Sequence, residues 1–304
     1  MSTKQALHQP VMKQEVIELL QVQPEKWYID ATFGRGGHTQ EILEHQGKVL
    51  AIDQDKEAIE FAQRKFADFI ERGQLVLAHQ NFAQLNQALS LLPAGQTETA
   101  PITGIIFDFG TSLDQIRAPS RGFSFDQPDD PLDMRMNQDL GVTAADLLMV
   151  LSKKQLSQLF REYGGETHSN QIAAAIDRYR GKDHSRQVNT VGELLGIIDQ
   201  VKERRSHLHP ATKIFQALRI AVNSELDAIK EALPQALKVL EPQGRIVTIA
   251  FHQGEDVIVK HLFKEWEEKK LGKNIYKKPV QPSAEEKTNN PSARSAKLRA
   301  FEKK

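Results

Sequence analysis

Asp30-Ala31-Thr32-Phe33-Gly34-Arg35-Gly36-Gly37-His38 is the stretch that decides how this chain folds. It joins a short apolar run at 26–31 (KWYIDA) to a segment at 39–45 that reads as a helix. A glycine turn between strand and helix sits where open α/β sheets bind ligands, at the carboxyl ends of the strands. Glycine lets the backbone approach a ligand with no Cβ in the way. A dinucleotide fingerprint needs a third glycine at position 39, and that residue is Thr39. The second strand, 48–53 (KVLAID), ends in Asp53, nineteen positions after Gly34. An acid at that distance can accept hydrogen bonds from ribose hydroxyls. Glycine turn, strand and acid in register point to an adenosine-containing cofactor. The competing reading is a tight turn beside a surface aspartate.

Outward from this motif the alternation continues. Residues 56–69 carry apolar positions at helical spacing, and 74–78 (QLVLA) and 102–109 (ITGIIFDF) add two strands. Strands alternating with helices predict a parallel sheet with right-handed crossovers. The pattern then breaks at 119–135 (PSRGFSFDQPDDPLDMR), a loop rich in Gly, Pro and Asp. Only helical signals follow to about position 205, with capping boxes at Ser152/Gln155 and Thr190/Glu193. An apolar stripe through Ile214, Leu218, Ala221, Val222, Leu226 and Ile229 predicts a helix, 245–251 (RIVTIAF) a buried strand, and 297–301 an edge strand. The expected organisation is one α/β sheet domain in two parts, 1–114 and 209–304, interrupted by an all-helical insertion at 115–208.

Composition narrows the function classes. The 304 residues hold 40 Lys+Arg against 40 Asp+Glu, so net charge gives no sign of a nucleic-acid partner. The segment 257–304 nevertheless carries 13 Lys+Arg against 6 Asp+Glu, either a solvated charged face or a surface near phosphates. With no cysteine, disulfides, thiolate catalysis and alkylation of a pyrimidine ring carbon through a cysteine adduct are excluded. The ten histidines form no ligand-spaced cluster, so no metal is expected. No apolar run approaches the roughly 20 residues that span a bilayer. Residues 1–14 lack a signal-peptide core, which makes a cytoplasmic location the default and a membrane partner unexpected.

The spacing acid-xxx-Gly-x-Gly from Asp30 resembles that of class I methyltransferases, whose S-adenosylmethionine cofactor has no pyrophosphate. In that frame Asp108-Phe109-Gly110-Thr111-Ser112, at the end of the fourth strand, is the reacting side. An exocyclic ring amine is a poor nucleophile because its lone pair is delocalised. An acceptor for one N–H orients it for in-line attack. Asp108 is the first candidate, with Ser112 second, and a purely cofactor-orienting role for Asp108 stays open. Phe82 either stacks on adenine or belongs to the core. His252, with Glu255 and Asp256, either tunes the pocket or starts a helix, and the helix start is preferred.

Five segments extend the resemblance to one family. IDATFGRGGH (29–38), AIDQD (51–55), RGFSFDQPDDPLDMRM (121–136), HPATKIFQALRIAVNSEL (209–226) and NPSARSAKLRAFEK (290–303) closely resemble the bacterial 16S rRNA cytosine-N4 methyltransferases. The resemblance spans nearly the whole chain. It implies an S-adenosylmethionine-dependent, Rossmann-like class I methyltransferase sheet with a helical insert that helps hold RNA. The implied reaction is N4 methylation of a cytidine in the decoding region of 16S rRNA on the small ribosomal subunit. Carried over by position, the cofactor contacts are Gly36, Gly37, His38, Asp53, Phe82, Asp108 and Gln115; Gly34 of the glycine turn joins them, and the candidate catalytic set read from the residues themselves is Asp108, Ser112 and His252. It also implies a homodimer. Two stretches depart from the family pattern, Asp108–Leu113 (DFGTSL for DLGVSS) and 250–257 (AFHQGEDV for SFHSLEDR). Two other readings stay open: a non-catalytic ribosome-assembly factor keeping the fold, and an NAD-dependent oxidoreductase, against which Thr39 speaks. Arg117, Arg121, Arg135, Arg294, Lys297 and Arg299 are candidate phosphate contacts.

Overall fold

The computed structural model describes residues 10–93, 101–110, 115–116, 118–181, 183–202 and 209–304. The chain divides into two compact units, one made of Met1–Gly110 with Leu226–Lys304 and the other of Thr111–Glu225.

The first unit is built on a sheet of β1 (Trp27–Asp30), β2 (Lys48–Asp53), β3 (Leu75–His79), β4 (Ile102–Asp108), β5 (Leu240–Ala250), β6 (Gly272–Asn274) and β7 (Lys297–Lys303). Their order is β3-β2-β1-β4-β5-β7-β6. The pairs among β1 to β5 are parallel, whereas β7 runs antiparallel to both β5 and β6. Parallel strands are covered on both faces, so they read as continuous apolar runs rather than alternating ones. Within β2, Leu50 and Ile52 join one core, with Ile105, Phe107 and Ile246, while Val49 and Ala51 join the other, with Ile106 and Val247. The period of two along the strand therefore decides which layer each side chain fills. Strand order reverses between β1 and β4, and that reversal opens the crevice where such sheets bind ligands.

Two expectations shift in this unit. The first crossover helix begins earlier than predicted, at Gly37, with Gly36 as its cap at φ 71°. The predicted 56–69 helix is two, Lys56–Lys65 and Ala67–Glu71, broken at Phe66. Phe66 is buried and packs edge-on against Phe33 of the glycine loop at 5.8 Å, so the break serves the loop.

The second unit has its own helical core, formed by Ala144–Val150, Lys153–Glu162, Ser169–Arg180, Val191–Asp199 and Thr212–Val222. Both predicted capping boxes are present, and a third joins Thr143 to Asp146. Buried Arg180 donates to the carbonyls of Leu148, Met149 and Leu151, capping the end of the first of these helices. The helix Thr212–Val222, expected with the second part of the sheet, packs in this helical core instead through Ile214, Phe215, Leu218 and Val222. Asn223 just after it ties the quoted segments 121–136 and 209–226 together: its Oδ1 accepts from Met136 N at 2.7 Å and its Nδ2 donates to Met134 O at 2.8 Å.

Candidate active site at the carboxyl edge of the sheet

Three strand ends supply carboxylates. Asp30, at the end of β1, is almost fully buried; it accepts from Thr39 Oγ1 at 2.7 Å and from the Thr32 backbone N at 3.2 Å. Burial pushes its pKa up, against the opposing effects of His38 and these two hydrogen bonds. Asp53, at the end of β2, accepts from Gly34 N at 2.7 Å and from Asp55 N at 2.8 Å. Its carboxyl is pushed up to about 6, chiefly by burial. Asp108, at the end of β4, receives no bond at Oδ1, although that atom is buried, while its backbone N donates to Thr32 Oγ1 at 2.6 Å. Thr32 thus fixes the β1 and β4 ends relative to each other.

His38, on the first turn of the helix Gly37–Glu44, is 4% exposed, and neither ring nitrogen has a hydrogen-bond partner. Its Nε2 lies 3.6 Å from Asp108 Oδ2, just beyond hydrogen-bonding reach. Buried polar groups are normally paired, and unpaired ones at a strand-end crevice mark a binding site.

The glycines divide by role. A Cβ at Gly36 would meet the Phe33 ring at 2.5 Å and Phe66 at 2.8 Å, and one at Gly37 would meet Pro10 at 2.8 Å. Those two are demanded by packing. A Cβ at Gly34 would find nothing closer than Thr32 O at 4.0 Å, yet φ there is +54°. Gly34 leaves open space beside the Asp53 carboxylate, as a ribose needs. Open space at Gly34, an acceptor at Asp53 and unpaired groups at Asp108 and His38 fit an adenosine cofactor with a charged tail.

The family model described as the MraW methylase family matches residues 5–304. The chain belongs to the MraW methylase family. Among the methylase's curated relatives is a ribosomal RNA small subunit methyltransferase H of Dictyoglomus thermophilum, 43% identical over 307 residues, covering 100% of this chain and 99% of the relative. A protein of the same name from Coprothermobacter proteolyticus is 41% identical and covers 97% of this chain and 96% of the relative. A solved methyltransferase from Streptococcus mutans, in complex with SAH, aligns at 15% identity and TM-score 0.45, covering 98% and 100%. The methylase is an enzyme of the α/β class expected from its glycine turn, and its cofactor is S-adenosylmethionine.

Within the methylase, Gly34, Gly36, Gly37, His38, Asp53 and Asp108 gather at the one carboxyl edge. Phe82 follows β3 and leans on Phe107 at 5.9 Å and Phe109 at 6.0 Å, so much of its ring serves the core. Asn81 beside it caps the next turn and donates to Gln54 Oε1 at 2.9 Å. Gln115 lies in the helical unit. Ser112, Thr111, Leu113 and Arg117 lie outside the described residues. His252 starts the helix Gln253–Glu268: its Nδ1 accepts from Gly254 N, and Glu255 Oε2 accepts from His252 N in a capping box. The preferred helix-start reading of this segment matches that geometry. Gly110, two positions after Asp108, is required because a Cβ there would meet the Phe251 ring at 2.7 Å.

The phosphate-contact candidates are revised. Arg121 is buried, with Nη2 donating to the carbonyls of Arg135 and Met136. Arg135 is held by Asp133 and by the carbonyls of Gln138 and Leu140. Lys297 and Arg299 both pair with Asp256, Arg299 Nε at 2.7 Å. Burial pushes Asp256 up, but these two cations outweigh it and hold the carboxyl below the ordinary range. Arg294 remains exposed, with one long 3.4 Å bond to Lys287 O. Sequence reasoning passed over Thr32 and Thr39, which orient Asp108 and Asp30. Their signal was the two threonines flanking the glycines two and nine residues after the acid.

Proposed function

We propose that this methylase transfers the methyl group of S-adenosylmethionine to the exocyclic N4 of a cytidine in the decoding region of 16S rRNA. The observation that carries the reading is Asp108, a carboxylate at the β4 end with one buried oxygen unpaired. The names of the small-subunit relatives support rRNA as the target, and the resemblance of the five quoted segments supports the base and position.

When bound, the cofactor supplies an electrophilic methyl on a sulfonium. The protein's part is to hold its adenosine between Gly34 and Asp53, with Gly36, Gly37, His38 and Phe82 completing the contacts of the sheet unit; Gln115 is proposed as a contact from the resemblance alone. Asp108 accepts an N–H of the target amine and turns its lone pair toward the methyl. Ser112 and His252 are proposed, from the sequence alone, to take part in the reaction. A base stacked in folded RNA must first be extruded, at a cost of a few kcal/mol, which backbone contacts offset. We assign that holding to the helical insertion, 115–208, and to Arg294. No described helix is long and apolar enough to cross a membrane, and we place the methylase in the cytoplasm, as a homodimer. The test is mass mapping of 16S rRNA from cells with and without the gene. Loss of one methyl on a decoding-region cytidine is expected, and an unchanged map overturns the assignment.

A further inference from the structure

We propose that His38 stands behind Asp108 and takes up the proton that the target amine sheds to that carboxylate. The proposal rests on the functional reading above, in which Asp108 accepts that amine's N–H. It goes further by giving His38, carried over only as a cofactor contact, a part in proton handling.

The geometry starts from an imbalance. An imidazole buried to 4% exposure with both nitrogens unpaired is costly, because each lost partner leaves a desolvated polar atom. The groups around it are acids. Asp108 Oδ2 lies 3.6 Å from Nε2, and Asp30, from the adjacent strand end, acts on His38 through its charge. Asp30 itself is saturated by Thr39 and Thr32, whereas Asp108 keeps Oδ1 unpaired and Oδ2 facing His38. Asp53 lies one strand further out, where Asp55 and Asp30 act on it. A closer approach of about half an ångström lets a proton carried on Oδ2 be donated to Nε2.

The proton balance follows. As the amine's lone pair forms the new N–C bond, the nitrogen becomes cationic. It then sheds one proton to the Asp108 carboxylate. With the neutral ring's proton on Nδ1, the carboxyl passes its proton to the Nε2 lone pair, so the positive charge of the new ammonium ends on the imidazolium and Asp108 returns to its carboxylate. No oxidant or further reactant is needed.

The test uses the whole protein and three readouts. The substrate is small ribosomal subunits from cells lacking the gene, and cofactor affinity is read by calorimetry. His38→Gln keeps a polar side chain of similar reach but takes up no proton. It is expected to lower kcat by about 100-fold, the low end for an acid–base partner, with cofactor Kd within about threefold of wild type. In the free protein, the 15N resonances of the His38 ring are expected to shift on Asp108→Asn. A kcat within twofold of wild type, a Kd that rises in step with the loss of kcat, or unmoved ring resonances overturns the proposal. Failure of the broader reading looks different, because wild type then places no methyl on the subunits while the ring resonances still report the His38–Asp108 contact.

Discussion

The carboxyl edge of the sheet and the 121–136 loop of the helical unit are both dense in charge, and they use it in opposite ways. At the edge, Asp108 Oδ1 and both nitrogens of His38 are buried without partners. Each such atom costs about 1–3 kcal/mol if nothing joins it. In the loop, Arg121 and Arg135 are spent on carbonyls and on Asp133, and Asn223 joins the loop to the end of the helix Thr212–Val222. A loop that uses its hydrogen-bonding capacity internally is a structural staple. An edge that withholds it is prepared for something else, and local inconsistency of this kind is where function is expected.

The sharpest break of this contrast is at Asp108. Asp108→Ala is expected to reduce methyl incorporation by about 10²–10⁴-fold with the denaturation midpoint little changed. Equal loss of stability and activity would make the edge another staple. The two glycines sharpen the contrast next. Gly36→Ala should destabilise by about 1–3 kcal/mol through overpacking on Phe33 and Phe66, added to its positive-φ strain. Gly34→Ala has only the φ strain, about 1–2 kcal/mol, but fills the space beside Asp53. Urea melts and cofactor calorimetry on both variants should therefore rank them in opposite orders.

Asp53 gives a pH test. Its folded carboxyl at about 6 stands above the ordinary 3.8. Between those values the native state holds a proton that the unfolded chain has released. Stability should thus fall as pH rises from about 4 to about 6 and level off beyond. Cofactor affinity should run the other way, weakening as pH drops through about 6, because ribose hydroxyls donate to the carboxylate. Asp53→Asn should flatten both curves. The smallest effects separate cations by their partners. Arg121→Ala strands two carbonyls and should cost about 1–3 kcal/mol. Arg294→Ala should stay within about 0.5 kcal/mol of wild type and lower the salt slope of RNA binding by about one.

The edge was legible because its signals are local: Asp30, Gly34, Gly36 and Asp53 lie within one βαβ unit, where spacing alone fixes the geometry. What stayed hidden depends on distant partners. Arg299 looks like a surface cation until β7 brings it to Asp256, 43 positions earlier in the chain. The stripe of Thr212–Val222 marks an amphipathic helix without saying which core it fills. Its neighbour Asn223 carries that information only through Met134 and Met136. Thr32 read as a spacer between acid and glycine because nothing in its own segment shows the β4 backbone that its hydroxyl receives.

Pairing of β4 with β5 sets Asp108 beside Ile249, a junction that closes a loop of roughly 140 residues. The β1–β2–β3 side depends on short-range crossovers and can assemble early, whereas β5 and the Phe251 ring against Gly110 arrive only after that long closure. The pocket's two walls therefore mature on separate clocks. During synthesis the glycine wall is made while the ribosome is still translating the helices that delay its counterpart.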